Sequence, residues 1–330
     1  MVGSAQLHAS RVVVCDIGTE ARREDLKPTE PHSVTNTTTT HNPFQLPHTM
    51  APPPSQDWAF ATRCATVADP EHQDQYGSSS IPIYQSTTFK GLPGSESKAS
   101  HEFDYSRSGN PTRTVLQNHL SRLQACKHSF AVATGMAAFD VITRSVKAGE
   151  CIIAGDDIYG GTNRLLGLLA TNNGIMTHHV DTTKPEVIEE TVRNVIKEHT
   201  QNNGPRLAMV ILESPTNPLL KIVDIKGAVA AVRKYTSADQ TTIVFDNTRM
   251  SPALCKPLDM GVDAVYDSAT KYLGGHHDIM AGVIATNRDD LAKVRRYPRS
   301  CIVYCTHSHP SSHSVMGLHN QFHRQRPLAL

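Results

Sequence analysis

The sequence predicts an α/β fold built on a mostly parallel sheet with helices on both faces. Three observations predict it. First, short apolar runs recur at residues 130–133, 151–154, 207–212, 243–245, 264–266 and 282–285, and none alternates with polar residues. Such runs suit strands buried on both faces, where no polar side is exposed. Second, amphipathic stretches of helical length, 185–198 and 225–235, lie between several of these runs, the spacing of strand, helix and parallel strand. Third, the runs end in small or polar residues, as at Thr134-Gly135, Asp246 and Ser268. Open α/β sheets bind ligands at the carboxyl ends of their strands.

Residues 1–54 show no sustained period and contain Thr37 to Thr40 and Pro52 to Pro54, so a disordered N-terminal extension is expected there. Arg11, Arg22 and Arg23 suggest a transit peptide, but five interspersed acidic residues argue against one, and Met50 is an alternative start. A helix is expected from Pro111 through Cys126. Asn110 is its N-cap, and Val115, Leu116, His119, Leu120 and Leu123 form its apolar face. The small residues 134–138 open a second helix, whose free N–H groups can hold a phosphate. Residues 298–330 break the pattern: they hold no Asp or Glu and five of the eighteen histidines, and are expected to be a disordered, atypical tail.

Composition narrows the function. Lys plus Arg number 32 against 31 Asp plus Glu, for a net charge of +1 over 330 residues. That balance gives no basic face for nucleic acid and no polybasic membrane anchor. No apolar run nears the roughly 20 residues that span a bilayer, so a cytoplasmic protein is expected. The seven cysteines, odd in number and without a Cys-x-x-Cys pair, suit a reducing compartment. The hydrophobic fraction of 38% is low because unlike ends dilute the central segment.

Three strand ends carry the chemistry. Each alone has an ordinary reading: Asp246 as a turn residue, Lys271 as a surface lysine, Gly135 as a turn glycine. No dinucleotide or nucleoside triphosphate motif is present. Together, a phosphate cradle, an aspartate and a lysine preceded by hydroxyls match the needs of pyridoxal 5′-phosphate (PLP). That cofactor takes a Schiff-base lysine, an anion for its ring nitrogen and donors for its phosphate.

Six blocks then extend the match: residues 76–85, 105–112, 157–162, 213–218, 246–248 and 268–272. On these the chain, from about residue 60 to 296, resembles the Cys/Met-metabolism family of PLP enzymes in its cystathionine β-lyase branch. The resemblance implies a fold type I PLP-dependent transferase-like architecture. Residues 55–110 would form an N-terminal arm reaching the neighbouring subunit's site, and 111–297 the cofactor-binding large domain. By resemblance Lys271 is the Schiff-base lysine and Asp246 the partner of the ring nitrogen. Tyr159 stacks on the ring, Asn217 lies near the ring hydroxyl, and Gly135, Met136, Ser268 and Thr270 bind the phosphate. Tyr105 and Arg107 complete that phosphate site across a subunit boundary, and Tyr105 and Tyr159 join Lys271 as catalytic residues. The implied activity is a carbon–sulfur β-lyase of methionine biosynthesis. It converts cystathionine to homocysteine, pyruvate and ammonia in a homotetramer built as a dimer of dimers. A γ-lyase, a γ-synthase and a non-catalytic truncated member are the alternatives. The β-lyase choice relies on residues 272–282 and on Asp74-Gln75-Tyr76-Gly77.

The chain departs from the family at two places. Arg249 follows Asp246-Asn247-Thr248, where the family carries a bulky apolar residue; a buried unpaired guanidinium is costly, so it must reach water or an acid. After about residue 297 nothing matches the family's small C-terminal domain or its substrate-carboxylate arginine, and Arg324 and Arg326 lie in unrelated sequence. Weak or no turnover is expected on that reading. His276-His277-Asp278 reads as a loop rather than a metal site. Cys301, Cys305, His307, His309 and His313 fit no usual zinc spacing, so no metal is expected.

Overall fold

The computed structural model describes residues 58–67, 74, 76–90 and 103–294. Expectations for residues 1–54 and 298–330, including those for the tail cysteines and histidines, lie outside the described residues. A short helix α1 (Phe60–Ala65) precedes α2 (Pro111–Gln124). The alternating elements then follow as β1 (His128–Val132), α3 (Gly135–Thr143), β2 (Cys151–Gly155), α4 (Gly160–Asn173), β3 (Met176–Val180), α5 (Pro185–Asn202), β4 (Leu207–Glu213), α6 (Ile225–Arg233) and β5 (Thr242–Asp246). After the one-turn helix α7 (Ser251–Leu254) come β6 (Ala264–Ser268), β7 (Gly282–Thr286) and α8 (Asp289–Val294).

The strands form one seven-stranded sheet in the order β1-β7-β6-β5-β4-β2-β3. Pairings β3·β2, β2·β4, β4·β5 and β5·β6 are parallel. Strand β7 runs antiparallel to both its neighbours, β6 and β1. The predicted sheet, largely parallel with helices on both faces, is thus observed. The reversal of β7 is not legible in its sequence, because Gly282-Val283-Ile284-Ala285 is a continuous apolar run that fits either direction. Strand β3 gave no apolar run: Met-Thr-His-His-Val sits at the sheet edge, with Met176 and His179 exposed.

Side-chain alternation sorts the core onto two faces. Helices α3 and α4 pack Phe139, Leu166 and Leu169 against Ile152, Ile211, Val244 and Tyr266. On the other face α5 and α6 bring Ile188, Val192 and Val232 to Ile153, Leu212, Ile243 and Phe245. Farther along that face, α2 buries Leu116, Leu120 and Leu123 against Ala131 and Val283. Each buried leucine contributes about 1.5–3 kcal/mol. Helix α2 starts as its sequence predicts, with Pro111 in its first turn and the Asn110 side chain accepting from Arg113 N. It stops at Gln124, two residues short of Cys126, because Ala125 takes a left-handed conformation (φ 52°) that turns the chain toward β1. The other three predicted helices are also found, with α3 opening at Gly135, α5 extending four residues beyond 198 and α6 ending two residues before 235.

Candidate functional site

The six strands that run together place the ends of β1, β2, β4, β5 and β6 at one edge of the sheet, and β7 begins there. At this edge the β1–α3 turn is held by Thr134, whose hydroxyl accepts from Ala137 N at 2.9 Å. Gly135 opens α3, where the first N–H groups have no partner within the helix. A Cβ on Gly135 would lie 2.8 Å from Ser268 Cβ and 3.2 Å from Ser268 Oγ, so only glycine lets the turn approach the end of β6 this closely. Strand β7 closes the same corner, since a Cβ on Gly282 would overlap the Thr134 carbonyl oxygen.

Beside it lies a row of polar side chains. Register pairs Glu213 of β4 with Asp246 of β5, and Asp246 with Tyr266 of β6. Glu213 and Asp246 are 5% and 8% exposed. Asp246 Oδ1 accepts from Thr248 N at 2.9 Å, and the Tyr266 hydroxyl lies beside the carboxyl, short of full hydrogen-bond geometry. Burial pushes the Asp246 carboxyl up, while the Thr248 donors oppose that shift. Burial, then the nearby Asp246 charge, push Glu213 up to about 8. Glu213 Oε2 accepts from Tyr159 N at 2.9 Å. Tyr159, itself 44% exposed, stands just before α4, and its ring packs on Gly161, beside Met136.

The remaining predicted residues fall as follows. Lys271 is exposed in a turn after β6, with its N bonded to Ser268 O at 3.1 Å and its O to Gly275 N at 2.8 Å. Thr270 Oγ1 accepts from Ala281 N at 3.2 Å, which ties this turn to the start of β7. Thr248 Oγ1 accepts from Ser268 N at 2.8 Å and links the β5 and β6 ends. Asn217 is half-buried in the loop after β4. That loop is fixed by Asp157, whose Oδ2 accepts from Thr216 Oγ1 and Leu219 N. Arg249 is exposed at the same edge, and its charge is felt by both Glu213 and Asp246. It therefore reaches water, as the cost of burying it requires.

Tyr105 and Arg107 lie on the segment that precedes α2. Arg107 lies over the Tyr105 ring at 5.0 Å, and both are exposed. Their segment is held to the chain's own 82–88 stretch by a Thr88–Tyr105 bridge and by Asn110 Nδ2 donating to Tyr84 O at 2.9 Å. His276 lies in the loop after Lys271, and among the described residues no three His, Cys, Asp or Glu side chains converge as a metal would need. No helix among them is long and apolar enough to cross a membrane. A cavity of about 570 Å³ lies at the opposite end of the sheet, lined by Arg63, Arg122, Lys127 and Lys256 among others, and holds none of the predicted site residues. Sequence reasoning missed Glu213 as a member of the site. Its own motif block contained it, but a glutamate closing an apolar run gives no sign that Asp246, on the next strand, stands beside it.

The model of the Cys/Met metabolism PLP-dependent enzyme family matches residues 62–308, reaching past the last recognisable motif block. The chain is 49% identical over 251 residues to cystathionine beta-lyase of Neurospora crassa, covering 76% of this chain and 51% of that protein. It is 47% identical over 222 residues to cystathionine beta-lyase of Schizosaccharomyces pombe, covering 67% and 53%. The crystal structure of metB from Corynebacterium glutamicum superposes with a TM-score of 0.67 at 31% identity, covering 81% of this chain and 64% of that one. The chain spans about half the length of the curated relatives it matches.

Proposed function

Because the chain belongs to the Cys/Met-metabolism family of PLP-dependent enzymes, we propose that it acts as a carbon–sulfur β-lyase on cystathionine, with water as co-substrate and homocysteine, pyruvate and ammonia as products. The observation that carries the reading is the meeting of a glycine-only cradle, a buried aspartate and an aromatic wall at one sheet edge, within a chain 47–49% identical to two fungal cystathionine β-lyases.

The residues fit the cofactor. The space that a Gly135 Cβ would fill, against Ser268, is the cradle for a phosphate, with the α3 N-terminus supplying N–H groups of Gly135 and Met136 and a favourable dipole. Ser268 and Thr270 add hydroxyls. Asp246, which accepts from the Thr248 N–H, would pair with the ring nitrogen, a charge-assisted contact of about 1.5–3 kcal/mol. Tyr159 would form one wall against the ring, Asn217 would stand near the ring hydroxyl, and Lys271 would hold the cofactor through Nζ. Bound there, PLP supplies the electron sink that stabilises negative charge at the substrate Cα. Lys271 Nζ would move the Cα proton, and Tyr159 and Tyr105 would border the reacting atoms.

The exposure of the stacked Tyr105–Arg107 pair supports a role in a neighbouring subunit's phosphate site, and hence a homodimer that doubles into a tetramer. A cytoplasmic location goes with this reading. Purified protein loaded with PLP should show a visible absorption band that Lys271→Ala abolishes, and borohydride should trap the cofactor on Lys271 and no other lysine. Any turnover of cystathionine should be weak and should release pyruvate and homocysteine. Release of 2-oxobutyrate and cysteine would assign the γ-lyase reaction instead, and absence of turnover with the band intact would assign a cofactor-binding, non-catalytic chain.

A further inference from the structure

Glu213 has no role in the reaction as derived above, yet it is as buried as Asp246 and directly opposite it across β4 and β5. Two buried carboxyls on adjacent strands cannot both ionise without a large repulsion. Asp246 has the stronger claim to the charge, since it accepts from Thr248 N and lies beside the Tyr266 hydroxyl, whereas among the described residues Glu213 accepts from Tyr159 N alone. We propose that Glu213 is a positioning residue: as a neutral acid it holds the Tyr159 backbone, and with it the aromatic wall, while Asp246 remains the single buried anion facing the cofactor ring.

The geometry permits both tasks at once. A protonated carboxyl still accepts on Oε2, where the Tyr159 N–H arrives at 2.9 Å, and carries its proton on the other oxygen. The contact fixes the residue just before α4, and the ring that follows is seated on Gly161, where a Cβ would collide with it. The charged and titratable groups around Glu213 are Asp246 and Arg249 from the end of β5, Asp157 from the loop after β2, and Tyr266 from β6. Both aspartates favour the neutral acid and Arg249 opposes it, but Arg249 is exposed and screened by water. The balance pushes the Glu213 carboxyl up to about 8.

The role toward the cofactor rests on the PLP reading, whereas the protonation state does not. Infrared difference spectra of wild type against E213Q should show a protonated-carboxyl band at pH 6 that titrates away by pH 10. Bands common to both proteins, such as that of Asp267, cancel in the difference, and a difference spectrum lacking the band would overturn the proposal. PLP affinity, measured by absorption at pH 7, should change less than about threefold in E213Q, which keeps the acceptor, and fall about tenfold or more in E213L. Equal affinities for the two variants, each checked for folding by circular dichroism, would also overturn it. Should wild type bind no PLP, the proposed function fails while the infrared result still decides the state of Glu213.

Discussion

At the scale of the residue, the polar groups of this protein are distinguished by which side of the sheet they face. Asp246 and Asp267 are both buried strand-end carboxyls, yet only Asp246 faces the α3–α4 side with the other site residues. Asp267 points to the α2 side and accepts from Gln124 Nε2 at 2.7 Å. Burial, and then the Asp246 charge, push Asp267 up to about 7 from an ordinary 3.8. The folded state therefore binds the proton more tightly than the unfolded chain, and stability is lost as pH rises from about 4 to about 7. At roughly 1.4 kcal/mol per unit, the loss reaches up to about 4 kcal/mol above that window. Asp267→Asn should remove this dependence. Urea titrations should show the variant gaining on wild type by about 2–4 kcal/mol between pH 4 and pH 8, and a constant difference across that range would refute the assignment.

The same scale shows what sequence could and could not supply. Asp246 and Lys271 were legible because each ends or follows an apolar run, where open sheets present their ligands. Glu213 and Asp267 were not: their partners, Tyr159 and Asp246 in one case and Gln124 in the other, are brought to them only by strand pairing and helix packing.

At the scale of the element, caps and burial decide which segments could be read. Helix α2 carried every start signal, a capping Asn110, Pro111 and a spaced apolar face, and it begins where expected, ending two residues early at the left-handed Ala125. Asn110 does more than cap. Its Nδ2 also donates to Tyr84 O and Ser106 Oγ, both at 2.9 Å, so it joins α2 to the preceding arm. Asn110→Ala should cost about 1–3 kcal/mol in chemical denaturation, the sum of a cap and buried hydrogen bonds. It should also speed proteolytic cleavage within residues 80–90; unchanged cleavage would mean that the arm is held by other contacts. Strand β3 had no such signals, because an exposed edge strand needs no apolar run and its fold is imposed by pairing with β2.

At the scale of the whole molecule, the proposed site has two parts. Asp246, Tyr159, Gly135 and Lys271 lie at or after strand ends on one sheet edge, while Tyr105 and Arg107 are exposed on the segment before α2. If the second part serves another subunit, an Arg107→Ala chain and a Lys271→Ala chain each lack what the other holds. Co-expressed, they should recover tightly bound PLP, measured by absorption after gel filtration, to a fraction of the wild-type level that neither variant reaches alone. No recovery in a mixed oligomer would place Arg107 outside the site.

The reversed strand β7 has a kinetic consequence for the lysine. Parallel neighbours are joined by long crossovers, whereas β6 and β7 are antiparallel and paired to their ends, Ser268 opposite Gly282. The loop 269–281 that carries Lys271 is consequently a closed ring, clamped at both feet by the sheet and cross-tied by Thr270 to Ala281. A short closed loop has little chain entropy left to surrender when a ligand orders it. Its amides near residues 270 and 281 should exchange with solvent only when the sheet itself opens, which makes the lysine's footing among the last parts of the protein to fluctuate.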